Sequence, residues 1–441
     1  MSLSEEIARK AENGSLIVGV VGLGYVGLPL AVAFSKKLHV IGYDTVAEKV
    51  DMLRKGISYI DDVREVRNNN FFPTNDETKL HECDVIIICV PTPLHEDKRP
   101  DLGPVKGASS IVGKNLRRGQ LIILESTTYP GTTEEIMIPI LERESGLKAV
   151  DDFGIAYSPE RIDPGNKIYT VETTPKVVGG GTPEWTEAAS AVYGTAISNI
   201  VKVSDCKTAE MVKIFENVFR NVNIALVNEL ALICERMSIS VWEVIDAAKT
   251  KPYGFMAFYP GPGVGGHCIP LDPYYLSYRA RQFDYIPQFI ETSGEINDYM
   301  PIHVVNLTRL GLSKVGKKIH GARVAVLGIA YKPDVSDTRE SPAALVISEL
   351  IDEGAEVKVF DPLAKEIATK SGRFAVEGSL GEIMAWAECA ILVTPHTVLV
   401  NDLEAIMKTA GKEFVIVDTK RGLKRTKEMA SVVVGLGNIL P

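Results

Sequence analysis

Nowhere in the 441-residue chain do 18 or more apolar residues run together, so no segment reads as a membrane-spanning helix. The opening residues, Met1 to Lys10, are polar and hold no apolar signal core, and the expected location is the cytoplasm. Cysteine is sparse: the six, at 83, 89, 206, 234, 268 and 389, form no C-x-x-C pair and no Cys/His array. That pattern excludes a disulfide scaffold and the common zinc modules, and no bound metal is expected. Positive charge is in deficit, with 48 Lys and Arg against 57 Asp and Glu, a net charge of −9 that excludes a nucleic-acid binder built on a broad basic face. Anionic ligands must therefore be held by local features. What is present, 45% hydrophobic and 24% charged residues, is the mix of a chain that folds, and at roughly 100–200 residues per domain it predicts two to four domains.

A β-branched run, Ile17 to Val21, leads through Gly22-Leu23-Gly24-Tyr25-Val26-Gly27 into a helical stretch reaching Lys37 and a second strand, His39 to Tyr43, closed by Asp44. This is a βαβ unit. Apolar runs at Asp84–Val90, Gln120–Glu125, Phe153–Tyr157 and Lys176–Val178 alternate with segments of helical composition, which predicts a doubly wound parallel sheet. A second βαβ signal starts at Arg323, with strand Val324–Leu327, Gly328, helix Pro342–Glu353, strand Glu356–Phe360 and then Asp361. The interval from Gly22 to Pro91 nearly equals that from Gly328 to Pro395, so the two ends read as copies. The expectation is an α/β chain of two Rossmann-like doubly wound parallel-sheet domains, 1–203 and 319–441, facing one another and joined by a long central helix and helical middle domain, 204–318.

That helix is read from Cys206 to Met237, which contains no Gly or Pro and would run for roughly 48 Å. Met211, Phe215, Val218 and Val222 fall at helical spacing on its apolar face. Glu210, Lys213, Asn217 and Asn221 share a polar face, read either as solvated or as turned toward a site. With two apolar sides the helix is also expected to pair two copies into a homodimer.

The strongest local motif is Gly22-x-Gly24-x-x-Gly27 between a strand and a helix, with Asp44 about twenty residues on, where dinucleotide enzymes place an acid on the adenosine ribose. The glycines permit a tight turn and let a pyrophosphate approach the helix N-terminus. An acid at position 44, rather than Arg or Ser, favours NAD over NADP. The C-terminal copy lacks this fingerprint: after Gly328 it reads Ile329-Ala330-Tyr331-Lys332-Pro333-Asp334, then Asp337-Thr338-Arg339-Glu340-Ser341-Pro342. Lys332 and Arg339 beside a strand end suit a second phosphorylated ligand; a plain dimerisation domain is the other reading.

The remaining constellation is Tyr259-Pro260-Gly261-Pro262-Gly263-Val264-Gly265-Gly266-His267-Cys268-Ile269-Pro270-Leu271-Asp272. Its glycines let the backbone pass close to a ligand and leave Cys268 accessible. A thiol there, in a chain with a dinucleotide site, points to covalent oxidation of an aldehyde by thiolate addition, hydride loss and thioester hydrolysis; a buried core cysteine is the alternative. His267 receives no role.

On these residues the chain resembles the UDP-glucose/GDP-mannose dehydrogenases, NAD-dependent four-electron oxidases that convert a nucleotide sugar's C6 hydroxyl to a carboxylate. The resemblance runs from the Gly22–Gly27 motif to Asp418-Thr419-Lys420-Arg421. It implies that Cys268 is the catalytic thiol, with Lys213 and Asn217 stabilising the oxyanion of a thiohemiacetal and Asp272 assisting proton transfer. Thr127 and Glu160 match positions that handle a water and the thioester step. The resemblance further places Tyr25, Val26, Val90, Thr92, Thr127 and Arg339 at the cofactor with the glycines and Asp44. Glu160, Arg161, Lys213, Asn217, Tyr259, Gly265, Lys332 and Arg421 fall at the UDP-sugar. The segments Tyr157–Lys167 and Tyr259–Gly263 resemble the branch acting on UDP-N-acetylhexosamines, and Ile269–Leu276 is more similar to the gluco than to the manno enzymes. Lys251 to Gly261 contains no arginine, so a substrate site shared with a neighbouring subunit is not carried over.

Two other classes remain to be weighed: a two-electron hydroxyacid dehydrogenase, and a non-catalytic nucleotide sensor on the same scaffold. The first needs neither a reactive cysteine nor a second Rossmann copy, and the second predicts that Cys268 is dispensable.

Overall fold

The computed structural model describes residues 1–60, 63, 65–95, 97–162, 168–266, 269–407, 414–424 and 432–437. Cys268, His267 and the part of the branch-specific segment from Asp163 to Lys167 thus lie outside the described residues. The chain divides into two compact units, one of residues 1–216 and 274–286, the other of residues 217–273 and 287–441.

The first unit is built on an eight-stranded sheet. In spatial order its strands are Phe71–Thr74, His39–Tyr43, Ile17–Val21, Val85–Ile88, Leu121–Leu124, Gly154–Tyr157, Lys176–Gly180 and Ile200–Lys202. Central strands such as Val85–Ile88 and Leu121–Leu124 are buried along their whole length because helices cover both faces, so they read as continuous apolar runs. Alternate residues serve opposite cores. Val18, Val20, Val85, Ile87 and Ile123 pack on one face with Leu30, Phe34 and Trp185, while Ile86, Ile88, Ile122 and Leu124 pack on the other with Val105, Val112 and Leu141. Two edge strands, Phe71–Thr74 and Ile200–Lys202, carry no strong apolar run and were not anticipated. One pair departs from the expected parallel arrangement: Gly154–Tyr157 and Lys176–Gly180 run antiparallel. The connection between them carries no helix among its described residues, and antiparallel neighbours need no helical crossover.

The second unit holds a five-stranded, all-parallel sheet in the order Glu356–Phe360, Arg323–Leu327, Cys389–Leu392, Val415–Asp418, Val432–Gly435. This too is a doubly wound order, with its direction reversing beside Arg323–Leu327. Helix Pro342–Asp352 starts with Pro at its first position behind Ser341, whose Oγ accepts the Ala343 N–H at 3.3 Å. Helix Gln288–Lys314 and the later turns of the long helix cover one sheet face, Val227, Ala231, Met300 and Val304 meeting Val324, Val326 and Ile391 in one core.

The long helix spans Cys206–Met237, 32 residues. Asp205 Oδ1 accepts the Thr208 N–H at 2.7 Å and so caps its start. Its polar face is not solvated. Glu210, Asn217 and Asn221 are all buried, whereas Met211 and Phe215 of the expected apolar face are exposed on the single chain.

Candidate active site

In the first unit the Gly22–Gly27 turn joins strand Ile17–Val21 to helix Gly27–Ser35 at the point where strand order reverses. Its glycines differ in what demands them. Gly22 has φ of 92°, and a Cβ there would lie 2.5 Å from the Cys89 carbonyl oxygen; one on Gly27 would lie 1.9 Å from the Gly22 oxygen. Both are required by the fold itself. A Cβ on Gly24 would meet nothing within 4 Å, so that glycine keeps open the surface a pyrophosphate would approach. No side chain caps the helix behind it; its Leu28 N–H donates to the Gly24 oxygen at 3.0 Å, and Pro29 carries no N–H. Asp44 is buried, with Oδ2 accepting the Leu23 N–H at 3.0 Å and Oδ1 the Val46 N–H at 2.9 Å. Each oxygen retains acceptor capacity for ribose hydroxyls. Tyr25 projects at the turn, the Val90 N–H donates to Ser126 Oγ at 2.9 Å, and the Thr92 carbonyl accepts from Tyr275 Oη at 2.6 Å. The residues present fit NAD.

Strand Leu121–Leu124 ends in Glu125-Ser126-Thr127, which sets Thr127 at the same carboxyl edge. Beside it lies a set of buried ionisable groups of which the sequence reading assigned Glu160 but not Glu125, Lys176 or Tyr193. Lys176 Nζ bonds Glu125 Oε1 and stands 3.3 Å from Glu160 Oε2, and Glu125 Oε2 accepts the Tyr193 hydroxyl at 2.6 Å. Glu160 Oε1 takes the Arg161 and Ile162 N–H groups, each at 2.7 Å. Burial pushes the Glu125 carboxyl up to about 8, with Lys176 working the other way. For Glu160 burial also opposes charge, but Lys176, the Glu125 hydrogen bond, the Arg161 N–H and Lys213 outweigh it and hold the carboxyl below its ordinary value. Arg161 is clamped, its guanidinium bonding Glu216 and donating to the Pro175 oxygen at 2.9 Å. Lys213 is half-buried and has no hydrogen-bond or ion-pair partner among the described residues. One turn earlier, Glu210 is fully buried and accepts from the Gly131 N–H and from Thr133 N and Oγ1, at 2.8 and 2.6 Å for the latter pair. Burial pushes its carboxyl up to about 7 against those bonds.

In the second unit Asn217 Nδ2 donates to Asp272 Oδ2, both side chains being buried. Among the described residues no backbone-to-backbone hydrogen bond holds the segment 252–271, which is instead gripped by side chains. Asn228 Oδ1 accepts the Gly261 N–H at 3.0 Å, and Asn221 Nδ2 donates to the Ile269 oxygen at 3.3 Å. These asparagines are themselves held by helix Gln288–Lys314: Asn228 Nδ2 donates to Asn297 Oδ1 at 2.9 Å, Asn297 Nδ2 to the Asn221 oxygen at 3.2 Å, and Ser293 Oγ to Asn221 Oδ1 at 2.9 Å. Gly265 packs so closely that a Cβ would lie 2.7 Å from Pro342 Cδ.

Of the residues expected at the sugar nucleotide, Tyr259 and Arg421 converge on Asp246, at 3.1 and 2.9 Å. Tyr259 also stacks on Trp242 with ring centroids 5.8 Å apart. Arg339 is exposed and paired with Asp337 at 2.6 Å, and Lys332 is half-buried. Lys420 was passed over in favour of its neighbour Arg421. Its Cε lies 3.3 Å from the Cβ position of Gly261, and burial pushes its ammonium down to about 8. The five described cysteines are free and buried.

Family models match three successive parts of the chain: the NAD binding domain of the UDP-glucose/GDP-mannose dehydrogenase family over 16–197, its central domain over 207–299, and its UDP binding domain over 325–425. The chain belongs to that family. This dehydrogenase is 43% identical over 353 residues to the UDP-N-acetyl-D-glucosamine 6-dehydrogenase of Pseudomonas aeruginosa, covering 79% of this chain and 83% of the relative. It is 36% identical over 429 residues to the UDP-N-acetyl-D-mannosamine dehydrogenase of Methanocaldococcus jannaschii, covering 92% of each. Among solved structures, the UDP-D-ManNAc dehydrogenase of Pyrococcus horikoshii superposes with a TM-score of 0.85 at 32% identity, over 96% of this chain and 99% of that one. The dehydrogenase is NAD-dependent, and its relatives place it in the UDP-N-acetylhexosamine branch. No helix among its described residues is long and apolar enough to cross a membrane.

What sequence reasoning missed had a weak signal. Glu125 and Lys176 are single charges at the ends of otherwise apolar strands, Asn228 lies seven residues after Asn221 on the long helix, and Ser293 and Asn297 lie four apart on helix Gln288–Lys314. Such residues become informative only once the strands and helices are known to be buried.

Proposed function

We propose that this dehydrogenase oxidises the C6 hydroxyl of UDP-N-acetylglucosamine to the uronic acid in two two-electron steps through Cys268. NAD, when bound, accepts one hydride in each step, so two NADH form per sugar. The Cys268 thiolate adds to the intermediate aldehyde, forming a C–S bond and a thiohemiacetal whose oxyanion the Lys213 ammonium and Asn217 amide stabilise. After the second oxidation a water, deprotonated by Glu160 and placed with Thr127, attacks the thioester; the C–S bond breaks and the thiolate leaves, with Asp272 assisting the proton. The observation that carries this reading is the buried bond between Asn217 and Asp272, which joins the family's amide and carboxylate positions around the segment bearing Cys268. The 43% and 39% identities to two UDP-N-acetyl-D-glucosamine 6-dehydrogenases, against 38% and 36% to two UDP-N-acetyl-D-mannosamine dehydrogenases, support the gluco epimer. Arg161, Tyr259, Gly265, Lys332 and Arg421 are proposed sugar-nucleotide contacts, and Arg339 a cofactor contact.

The enzyme is further proposed to be a cytoplasmic homodimer paired through the long helix. Support comes from a stripe of exposed apolar residues, Met211, Phe215, Phe219, Leu226, Ile233 and Met237, at helical spacing along it.

The test is NADH yield and product mass with UDP-N-acetylglucosamine, UDP-N-acetylmannosamine, UDP-glucose and GDP-mannose side by side. Two NADH and a uronic acid from the first alone support the reading, with Cys268→Ser making no acid. One NADH with an accumulating carbonyl product refutes the covalent route, and two NADH from the manno epimer alone refutes the substrate assignment.

A further inference from the structure

Glu160 is a carboxylate that the fold wires on one side and leaves usable on the other. Its Oε1 is taken by two backbone N–H groups at 2.7 Å, from Arg161 and Ile162. Its Oε2 has Lys176 Nζ at 3.3 Å and keeps acceptor capacity. Lys176 is the first residue of strand Lys176–Gly180 and is 4% exposed. Its ammonium is immobilised by Glu125 Oε1 and by the Tyr193 ring, whose centroid is 5.1 Å away. Tyr193 in turn donates to Glu125 Oε2. Little water reaches this set: the adjoining cavity, lined by Glu160, Arg161, Val171, Thr174, Pro175, Lys176 and Ile197, measures about 10 Å³, room for one water at most. Charges so enclosed act on one another with little screening.

A lysine in such surroundings is costly unless its charge is used, because a buried ammonium must be paired to remain charged. With the Glu125 carboxyl pushed up by burial and holding its proton, the anion that pairs Lys176 is Glu160, 3.3 Å away and a residue with a proposed chemical task. We propose that Lys176, fixed by Glu125 and Tyr193, is a positioning residue for acid formation, its ammonium holding the Glu160 carboxylate ionised and oriented to deprotonate water. The inference rests on the reading of Glu160 as the base of thioester hydrolysis.

The charges facing Glu160 come from every element around it: Glu125 from the end of strand Leu121–Leu124, Lys176 from its own strand, and Lys213 from the long helix. Arg161 is next in the chain, its guanidinium committed to Glu216. Cys89 and Tyr193 border the set, and burial keeps both as neutral thiol and phenol by pushing them well above their ordinary values. With Glu125 pushed up and Glu160 held down, the set carries one cation, one anion and one proton on Glu125, and is neutral overall.

The experiment is the pH profile of kcat for acid formation, from about pH 4 to about pH 9.5, in the enzyme and in Lys176→Met, Lys176→Arg and Glu160→Gln. An opposite charge this close lowers a carboxyl by roughly 1–3 units. Lys176→Met is therefore expected to move the acid limb upward by about one unit or more, about tenfold slower at the low end and near normal on the plateau, with KM for the sugar nucleotide unchanged. Lys176→Arg should restore the limb. A folded Lys176→Met enzyme with an unmoved limb overturns the proposal. If that variant does not fold, the double substitution Glu125→Gln/Lys176→Met, compared with Glu125→Gln alone, makes the same comparison with one carboxyl removed. Glu160→Gln separates the two ideas: it should form two NADH per active site in a single turnover, stall at the thioester and make no acid. Acid formation at the normal rate by Glu160→Gln overturns the parent reading; loss of acid there with an unmoved limb in Lys176→Met overturns only the role of Lys176.

Discussion

Replacing Glu125 by Gln should make the stability of this dehydrogenase less sensitive to pH, by an amount that burial sets. Burial pushes the Glu125 carboxyl from its ordinary 4.5 up to about 8. A carboxyl raised in this way binds more protons folded than unfolded between those values, so its contribution is fully present below 4.5 and is lost as pH rises through about 8. From about pH 6 to about pH 9 the loss is roughly 3 kcal/mol. The neighbours do not mask it. Glu160, held below its ordinary 4.5, contributes stability present above that value and lost only as pH falls further, and the Lys176 contribution stays intact up to its ordinary 10.5. Glu210, raised to about 7, tilts stability in the same direction but is unchanged by the substitution. Gln matches the neutral carboxyl in shape, its carbonyl oxygen facing Lys176 and its amide facing the Tyr193 oxygen. The variant should therefore lie within about 1 kcal/mol of the parent near pH 4.5 and be more stable by roughly 2 kcal/mol at pH 6 and roughly 5 kcal/mol at pH 9, a relative change of roughly 3 kcal/mol between the last two. Urea unfolding at the two pH values reads this as a relative midpoint shift of about 1 M or more. Equal differences at both values would refute the protonated Glu125.

Three further outcomes follow from the geometry. Asp44→Asn keeps an acceptor for the Leu23 N–H but turns its amide NH2 onto the Val46 N–H and loses the charge offered to ribose hydroxyls, so the NAD dissociation constant should rise about 10- to 100-fold, read by calorimetric titration, with a loss of about 1–3 kcal/mol in stability. An unchanged dissociation constant would remove Asp44 from the cofactor site. Gly265→Ala puts a Cβ 2.7 Å from Pro342 Cδ and 3.1 Å from the Glu340 oxygen, and the overpacking should cost about 1–3 kcal/mol in thermal unfolding and at least about tenfold in turnover. Normal turnover would show that the segment has room to shift. Phe215, 63% exposed within the apolar stripe, should on substitution by Asp convert the proposed homodimer to a monomer in light scattering, and an unaltered mass would place any interface elsewhere.

The scaffold was readable in the sequence wherever burial dictated residue type. Ile17–Val21, His39–Tyr43 and Glu356–Phe360 have the predicted limits because each is rich in β-branched or aromatic residues and bounded by turn signals, and Cys206–Met237 because it contains no Gly or Pro. Phe71–Thr74 and Ile200–Lys202 were not readable, since edge strands bury one side only and need no apolar run. The same asymmetry governs the site. The glycine turn and Asp44 form a local pattern, whereas the Glu125, Lys176, Glu160 and Tyr193 set is assembled from four elements far apart in the chain and has no local signature. The polar face of the long helix had two readings from sequence, and only tertiary burial decides between them: Asn221 and Asn228 turn inward because helix Gln288–Lys314 supplies Ser293 and Asn297 as partners.

The two sheets show which parts of a dinucleotide motif belong to the fold and which to the ligand. In both, an acid ends the second strand and accepts an N–H from the turn after the first: Leu23 N to Asp44 Oδ2 at 3.0 Å, Ile329 N to Asp361 Oδ2 at 2.8 Å. In both, the first glycine is forced, since a Cβ on Gly328 would lie 2.0 Å from the Thr394 oxygen as one on Gly22 would lie 2.5 Å from that of Cys89. These features tie strand ends together whatever binds there. The remainder differs. Asp361 Oδ2 also takes the Ala330 N–H and His396 Nε2, each at 3.0 Å, and its Oδ1 takes Leu363 N and Ala364 N, each at 2.8 Å. Asp334 N donates to His396 Nδ1, which fixes the ring proton on Nε2, facing the carboxylate. Every acceptor site on Asp361 is spent inside the protein, and His396 fills the ground above it with no exposure of its own. An acid in the ribose position therefore marks a dinucleotide site only when its oxygens have capacity left over, and by that criterion Asp44 qualifies and Asp361 does not. The second sheet has kept the constraint that folds the turn and closed the opening that a dinucleotide would need, which is consistent with a domain whose ligand is the sugar nucleotide's UDP.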